Sequence, residues 1–248
     1  MSITSEMQRL HTNINNIREN TDSILEAIAN KGVTVPSGSK LDDVPGLIAQ
    51  IPDGSNIIGG KAYKTVAMPD GKVWLAENLD YKFCNIGGSG DPSTANAWYY
   101  DNDESTYGWN GYKCGLLYNW YAVKFLNDNR SYLCPGWHVP TDDEWSSLVT
   151  ACGASAGAKL KALDNSVALG FPSGWNGTDD YGFSIMPSGY RLAGDFHNFG
   201  KTSTNWTISE VSYRVFQYYF TKDSSSVIRS DGNGKEDAFS VRLVKDVQ

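Results

Sequence analysis

The side chains able to do chemistry are few and widely spaced. Three histidines, His11, His138 and His197, are too scattered to assemble a three-histidine metal site. Four cysteines, Cys84, Cys114, Cys134 and Cys152, lack the paired spacing of a zinc site, and both disulfides and buried free thiols are compatible with them. Adjacent acids at Asp142-Asp143 and Asp179-Asp180 are the residue type for general acid–base work. The first pair, however, opens a helix, and the second closes a turn before Tyr181-Gly182. The Asp/Asn-rich stretch 101–104 offers oxygen ligands of the kind calcium takes. No serine elbow, Walker loop or recognisable Cys-His spacing is present. The expectation is a chain with no catalytic residue, no metal and no cofactor.

Composition sets the frame for these residues. The chain has 248 residues, 40% hydrophobic and 12% aromatic, with a net charge of −7. It is too apolar for disorder, and it contains no run near the roughly 20 apolar residues that insert into a membrane. Its acidic balance argues against a nucleic-acid partner. With 25 Gly, 8 Trp and 14 Tyr, it suits loop-rich β structure, in which tight turns and flat rings with polar edges are common. The start, MSITSEMQRL, has no apolar core of a secretory signal, so an extracellular protein of this sequence is expected to leave the cell by another route.

Residues 1–31 read as a stalk. Ile3, Met7, Leu10, Ile14, Ile17, Ile24 and Ile28 follow a 4-3 spacing, with Thr21 on the same stripe and polar residues between. So narrow a stripe cannot hold a lone helix in water, and wrapping around identical copies would bury it. Isoleucine at both core positions favours more than two strands, so the expectation is a parallel homotrimeric coiled coil about 40 Å long. Residues 32–60 then read as a connector. Gly32 ends the helix, Pro36 stiffens GVTVPSGS, and KLDDVPGLIAQI forms a short capped helix before the Pro52-Asp53-Gly54 turn. This junction resembles the shaft-to-head junctions of phage tail fibres.

From Lys61 onward the pattern is that of one domain. Asp70-Gly71 before Val73-Trp74-Leu75 predicts a hairpin, residues 85–111 a long ordered loop, and 116–125 a segment entering the core. Thr141 with Glu144 three residues on is a capping box, opening a helix with Trp145, Leu148 and Val149 inward. Lys159–Leu163 predicts a brief helical turn, and Phe239–Leu243 alternates like a half-buried strand. Trp74, Trp120, Trp137, Trp145 and Trp206 are expected in the core, and His138 is expected to be a hydrogen-bonded structural residue.

Five segments in this order, DGKVWLAENLDYK (70–82), GLLYNWYAV (115–123), LCPGWHVPTDDEW (133–145), GTDDYGFSIMPSGYR (177–191) and FSVRLVKD (239–246), resemble the Fibrobacter succinogenes major paralogous domain. The resemblance implies an α+β, C-type lectin-like domain over 61–248, behind the coiled-coil helix. It says little about activity, because one scaffold hosts many functions. The calcium-binding tripeptides of animal lectins are missing, and no cysteine falls in a motif like that of the sulfatase-modifying enzymes of similar fold.

Binding is expected in the C-terminal part. Residues 190–238 break the clean alternation of a half-buried strand and use Tyr, Ser, Asn, Arg and Gly, the residues of recognition loops. The candidate ligand contacts are His197, Phe199, Thr204, Asn205, Thr207, Val211, Ser212, Tyr213, Arg214, Val215, Ile228, Ser230, Asp231, Asn233 and Asp237. The resemblance implies a reason: related proteins carry C-terminal segments diversified by retroelements that mutate adenines. Each candidate can arise from a randomised Asn codon, whereas Lys201, Gln217, Lys235 and Glu236 cannot and should be fixed. Together these readings predict a non-enzymatic receptor-binding protein of a phage tail fibre, virion-borne and extracellular after release, that binds a bacterial surface protein or glycan. The alternative is a cell-surface or secreted adhesin of the same family.

Overall fold

The computed structural model describes residues 3–29, 35–36, 38–40, 56–108, 113–163 and 174–246. The chain divides into two compact units, residues 1–53 and 54–248. In the first, α1 spans Ile3–Ala29 as one uninterrupted helix, which the absence of Pro and Gly in this stretch allows. On it Ile17 and Ile24 are exposed, Thr21 is half-buried and Ile28 is buried. The expected short helix after Lys40 lies outside the described residues, as does Gly32.

The second unit mixes short strands and short helices, an α+β arrangement. Strands β1 (Ile57–Ile58), β2 (Lys61–Ala62), β3 (Thr65–Ala67) and β4 (Val73–Leu75) are followed by β5 (Asn85–Ile86) and β6 (Asn96–Trp98). Next come helix α2 (Glu104–Tyr107), β7 (Leu117–Asn119), α3 (Trp120–Asp128), β8 (Trp137–His138), α4 (Asp142–Cys152) and α5 (Ala156–Leu160). The last third holds β9 (Tyr190–Leu192), β10 (Asp195–His197), β11 (Thr202–Val211), β12 (Arg214–Thr221), β13 (Ile228–Ser230), β14 (Ala238–Phe239) and β15 (Val244–Lys245).

These strands form a six-stranded sheet in the order β10-β9-β14-β7-β6-β5, a four-stranded sheet β3-β4-β15-β8, a three-stranded sheet β11-β12-β13 and the pair β1-β2. The C-terminal β15 lies between β4 and β8, and β14 lies between β9 and β7, so the end of the chain closes both larger sheets. The β3–β4 hairpin forms at the Asp70-Gly71 turn as the sequence predicts. The capping box also forms: Thr141 accepts from the Glu144 amide, and Glu144 accepts from the Thr141 amide. Its helix runs on past Leu148 to Cys152.

Two buried clusters carry the packing. One gathers Tyr118, Trp120, Trp137, Trp206, Val215 and Phe239, the other Trp74, Trp145, Trp175, Phe183, Tyr218 and Phe220. All five tryptophans expected in the core are enclosed. The β11–β12 hairpin serves both clusters, giving Trp206 and Val215 to the first and Tyr218 and Phe220 to the second.

Three local expectations are corrected. Residues 85–111 are not one loop; they carry β5, β6 and α2. The helical turn near Lys159 is α5, which starts earlier, at Ala156, and ends at Leu160. Phe239–Leu243 is not a half-buried strand, because Phe239, Ser240, Val241, Arg242 and Leu243 are all enclosed. Arg242 explains how a cation fits there: its guanidinium donates to the Leu75, Phe183 and Ser184 carbonyls and to Asn78 Oδ1, at 2.7–2.9 Å.

Candidate ligand-binding face

Clean alternation fails along β11 for a structural reason. Thr204, Asn205, Trp206 and Thr207 are consecutive and all buried, because the hairpin is covered on both faces. Five of the expected contacts are therefore corrected. Thr204, Asn205, Thr207, Val215 and Asp237 are sealed inside and cannot touch a ligand in this conformation. Thr207 Oγ1 donates to the Phe216 carbonyl at 2.8 Å, Asn205 Nδ2 donates to Ser203 Oγ, and the Asp237 carboxylate accepts from the Ala193 and Gly234 amides. Each is engaged in holding the fold.

Between Trp206 and Glu210 the register slips. Trp206 faces Gln217 and Glu210 faces Val215, so the β11 side of the pair is longer. This bulge docks on the cap of α4, with the Ile208 amide donating to the Pro140 carbonyl and the Asp142 amide to Ser209 Oγ. Bulges bend and twist the strand that carries them. Beyond it the hairpin leaves the core, and Val211, Ser212, Tyr213 and Arg214 are all exposed. Ser212 takes a left-handed conformation (φ 57°) at the tip, and Tyr213 is 71% exposed with the Arg214 guanidinium 5.4 Å from its ring.

The segment after β13 lies against the same hairpin. Ser230 pairs with Gln217, and Asn233 Nδ2 donates to the Gln217 amide oxygen at 2.7 Å. Lys235 pairs with Glu210 while its ammonium stands 4.3 Å from the Trp120 ring centre. Ser230, Asp231 and Asn233 are half-buried, as is Ile228 opposite Tyr219. His197 and Phe199 belong to a neighbouring aromatic group. The His197 ring lies 5.6 Å from Tyr190, and Phe199 packs edge-on against Tyr107 at 4.7 Å.

A cavity of about 400 Å³ opens beside this region, lined by the 87–92 loop, Asn96, Trp98, Arg191, the Ala193-Gly194 turn and Glu236. Asn119 ties its rim to the helix behind it: its side chain caps α3 through the Ala122 amide and donates to the Pro92 and Thr94 carbonyls. None of these lining residues is among the sequence-derived candidates. The glycine-rich run 87–90 and the Arg in GYR are the sequence signals that point to them.

The acidic pairs are structural anchors. Asp142 holds Arg229 by two bonds of 2.7 Å and accepts from the Tyr218 hydroxyl; the Arg229 bonds keep its carboxyl below the usual range. Asp179 accepts from the Ser184 amide and hydroxyl. Asp103 in the 101–104 stretch is the N-cap of α2.

Among the described residues, His138, Glu144 and Asp246 could converge on a cation. An ammonium already stands there: Lys72 Nζ lies 3.3 Å from Glu144 Oε1 and pairs with Asp246. Burial opposes ionisation of Glu144, but bonds from His138 and Thr141 prevail and hold its carboxyl at about 2. All four cysteines are free thiols, and burial pushes Cys84 up to about 12 and Cys152 to about 11. Such thiols are poor nucleophiles at neutral pH.

Residues 70–245 match the sequence profile of the Fibrobacter succinogenes major domain. The chain belongs to this family. Comparison with curated proteins gives no match, and comparison with solved structures gives none either. The match to the major domain spans β4 to β15, so it takes in the whole hairpin, the bulge and the cavity. Among the described residues no helix is long and apolar enough to cross a membrane.

Proposed function

We propose that this major-domain protein is a non-enzymatic adhesin of C-type lectin-like architecture, in which α1 assembles three chains and each domain binds a bacterial surface protein or glycan. The setting that fits is a phage tail fibre, released with the virion. The observation that carries the reading is the contrast within one hairpin: Tyr213 and Arg214 stand free in solvent, while Thr204–Thr207 in the same hairpin is sealed. Tyr and Arg are both enriched at binding hot spots.

Support also comes from how the tip is held. The bulge, the Lys235–Glu210 pair and the Asn233–Gln217 bond fix the exposed residues to a rigid base, which limits the entropy lost on binding. The variation expected from a retroelement would be tolerated at Val211–Arg214, where no side chain fills a core position. Three copies would convert weak single-site contacts into firm attachment through effective concentration.

The test is attachment of the labelled full chain to a panel of bacterial strains. The expected result is saturable binding to a subset of strains, lost at least tenfold in a Tyr213→Ala/Arg214→Ala double variant with an unchanged melting temperature. Binding to all strains alike, or binding indifferent to the double variant, overturns the reading.

A further inference from the structure

The cavity beside the hairpin is lined by the cation Arg191. The Arg191 guanidinium lies 4.2 Å from the Trp98 ring centre and 5.8 Å from that of Phe196, so aromatic contact holds the cation in place. Among the described residues the guanidinium has no hydrogen-bond or ion-pair partner. Burial lowers its pKa, against the raising effect of the Asp195 and Asp237 charges, which act without pairing with it. Asp237 is committed instead to the Ala193 and Gly234 amides. A half-buried guanidinium held over an indole face, with its donors uncommitted, suits a planar anion taken edge-on by two parallel bonds.

The rest of the lining narrows the anion. Gly88 (φ +85°) lies so close to Trp98 that a Cβ would stand 3.0 Å from the ring, while Cβ atoms on Gly87 and Gly90 would meet nothing. The loop thus braces the tryptophan at one point and leaves open backbone at two others. Two carboxylates share the lining, Asp91 and Glu236. They disfavour a dianion such as phosphate, and they are acceptors for hydroxyl groups. Asn96 is buried in the wall and its Nδ2 donates to the Asp91 and Thr94 carbonyls, which holds the 91–94 end of the loop in place. One fixed cation among several acceptors is the complement of one carboxylate among several hydroxyls. The volume of about 400 Å³ falls in the range of small-molecule sites.

We propose that the cavity between Arg191 and the 87–92 loop is a binding site for a carboxylated sugar unit, with Arg191 taking the carboxylate and Asp91 and Glu236 accepting from the hydroxyls. The site is built from other residues than the Tyr213–Arg214 tip, and it stands whether or not that tip binds a bacterial surface.

Titrating methyl glucuronide, methyl glucoside and inorganic phosphate into the full chain tests this. Binding is followed by calorimetry and by the Arg191 Nε–H resonance, assigned from its loss in Arg191→Gln. Saturation by the glucuronide in the millimolar range is expected, with a shifted Arg191 resonance and at least tenfold weaker binding of the glucoside. Arg191→Gln should abolish the preference for the glucuronide while the melting curve stays in place. If that variant fails to fold, the ligand comparison on the native chain decides alone. Equal affinity for glucuronide and glucoside overturns the proposal, as does binding of phosphate in preference to both, or no binding of the glucuronide at all.

Discussion

Arg242 Nε donates to Asn78 Oδ1 at 2.7 Å, joining the last strand region to a loop 164 residues earlier. The same guanidinium holds three carbonyls from two further segments, and Asn78 Nδ2 reaches the Cys114 carbonyl and Ser240 Oγ. Burial lowers the arginine's pKa to about 9 against the pull of Glu77 and Asp179, and hydrogen bonds rather than a paired carboxylate accommodate the charge. A lysine cannot present this fork of donors. Arg242→Lys is therefore expected to cost about 2–5 kcal/mol, read as a fall in the urea midpoint of the full chain. A change within about 0.5 kcal/mol, the scale of ordinary surface substitutions, would show that the network is dispensable.

The His138–Glu144 bond of 2.7 Å makes stability depend on pH in two directions. Burial disfavours the imidazolium, but the Glu144 bond and charge outweigh it and raise the His138 pKa. That contribution is complete below the unfolded histidine value of about 6.5 and is lost as pH rises through the higher folded value. Glu144, held at about 2, contributes fully above its unfolded value of about 4.3 and loses that contribution as pH falls toward 2. Melting temperature should thus peak between about pH 4.5 and 6.5. Glu144→Gln should flatten both limbs, and a variant that keeps either limb unchanged would assign it to other groups.

What the sequence disclosed divides by physical cause. The capping box at Thr141–Glu144 and the hairpin at Asp70-Gly71 were legible because each depends on residues a few positions apart. The buried tryptophans were legible from their size. Thr204–Thr207 misled because an uneven polarity pattern has two origins, recognition and burial on both faces, and only the tertiary covering of β11 and β12 separates them. Val211–Arg214 has the same uneven polarity and is exposed, because the bulge carries it clear of that covering. The cavity's parts, the glycine-rich run 87–90 and the Arg in GYR, are visible separately, but not their meeting: Trp98 and Arg191 are 93 positions apart and come together only through the strand order β9-β14-β7-β6.

The same division predicts two kinds of variant on one hairpin. Tyr213→Ala and Arg214→Ala should leave the melting curve where it is, since each removes only solvent-facing atoms. Thr207→Val keeps the shape but strips the hydroxyl that serves the Phe216 carbonyl and the Ser209 amide. It should cost about 1–3 kcal/mol in urea unfolding. Equal effects at 207 and 213 would mean that the tip is part of the folding core.

Assembly through α1 is expected from its exposed isoleucines. Helix α1 has 27 residues, long enough to span about 40 Å, yet Ile17 is 56% exposed and Ile24, seven residues on, is 38% exposed. Seven residues are two helical turns, so the two side chains share a stripe that a single chain leaves wet at these positions, while Ile28 at its end is buried. Burying such a stripe in a trimer gains roughly 1.5–3 kcal/mol for each fully covered isoleucine in each chain, enough over several heptads to hold the strands together. The full chain should therefore sediment as a trimer, and Ile17→Asp/Ile24→Asp as a monomer. The domain's own melting transition should be unaltered, because these positions fill no part of its core. A wild-type chain that sediments as a monomer refutes the coiled coil. A trimer that survives both aspartates moves the contact to the domain and leaves α1 without an assembly role.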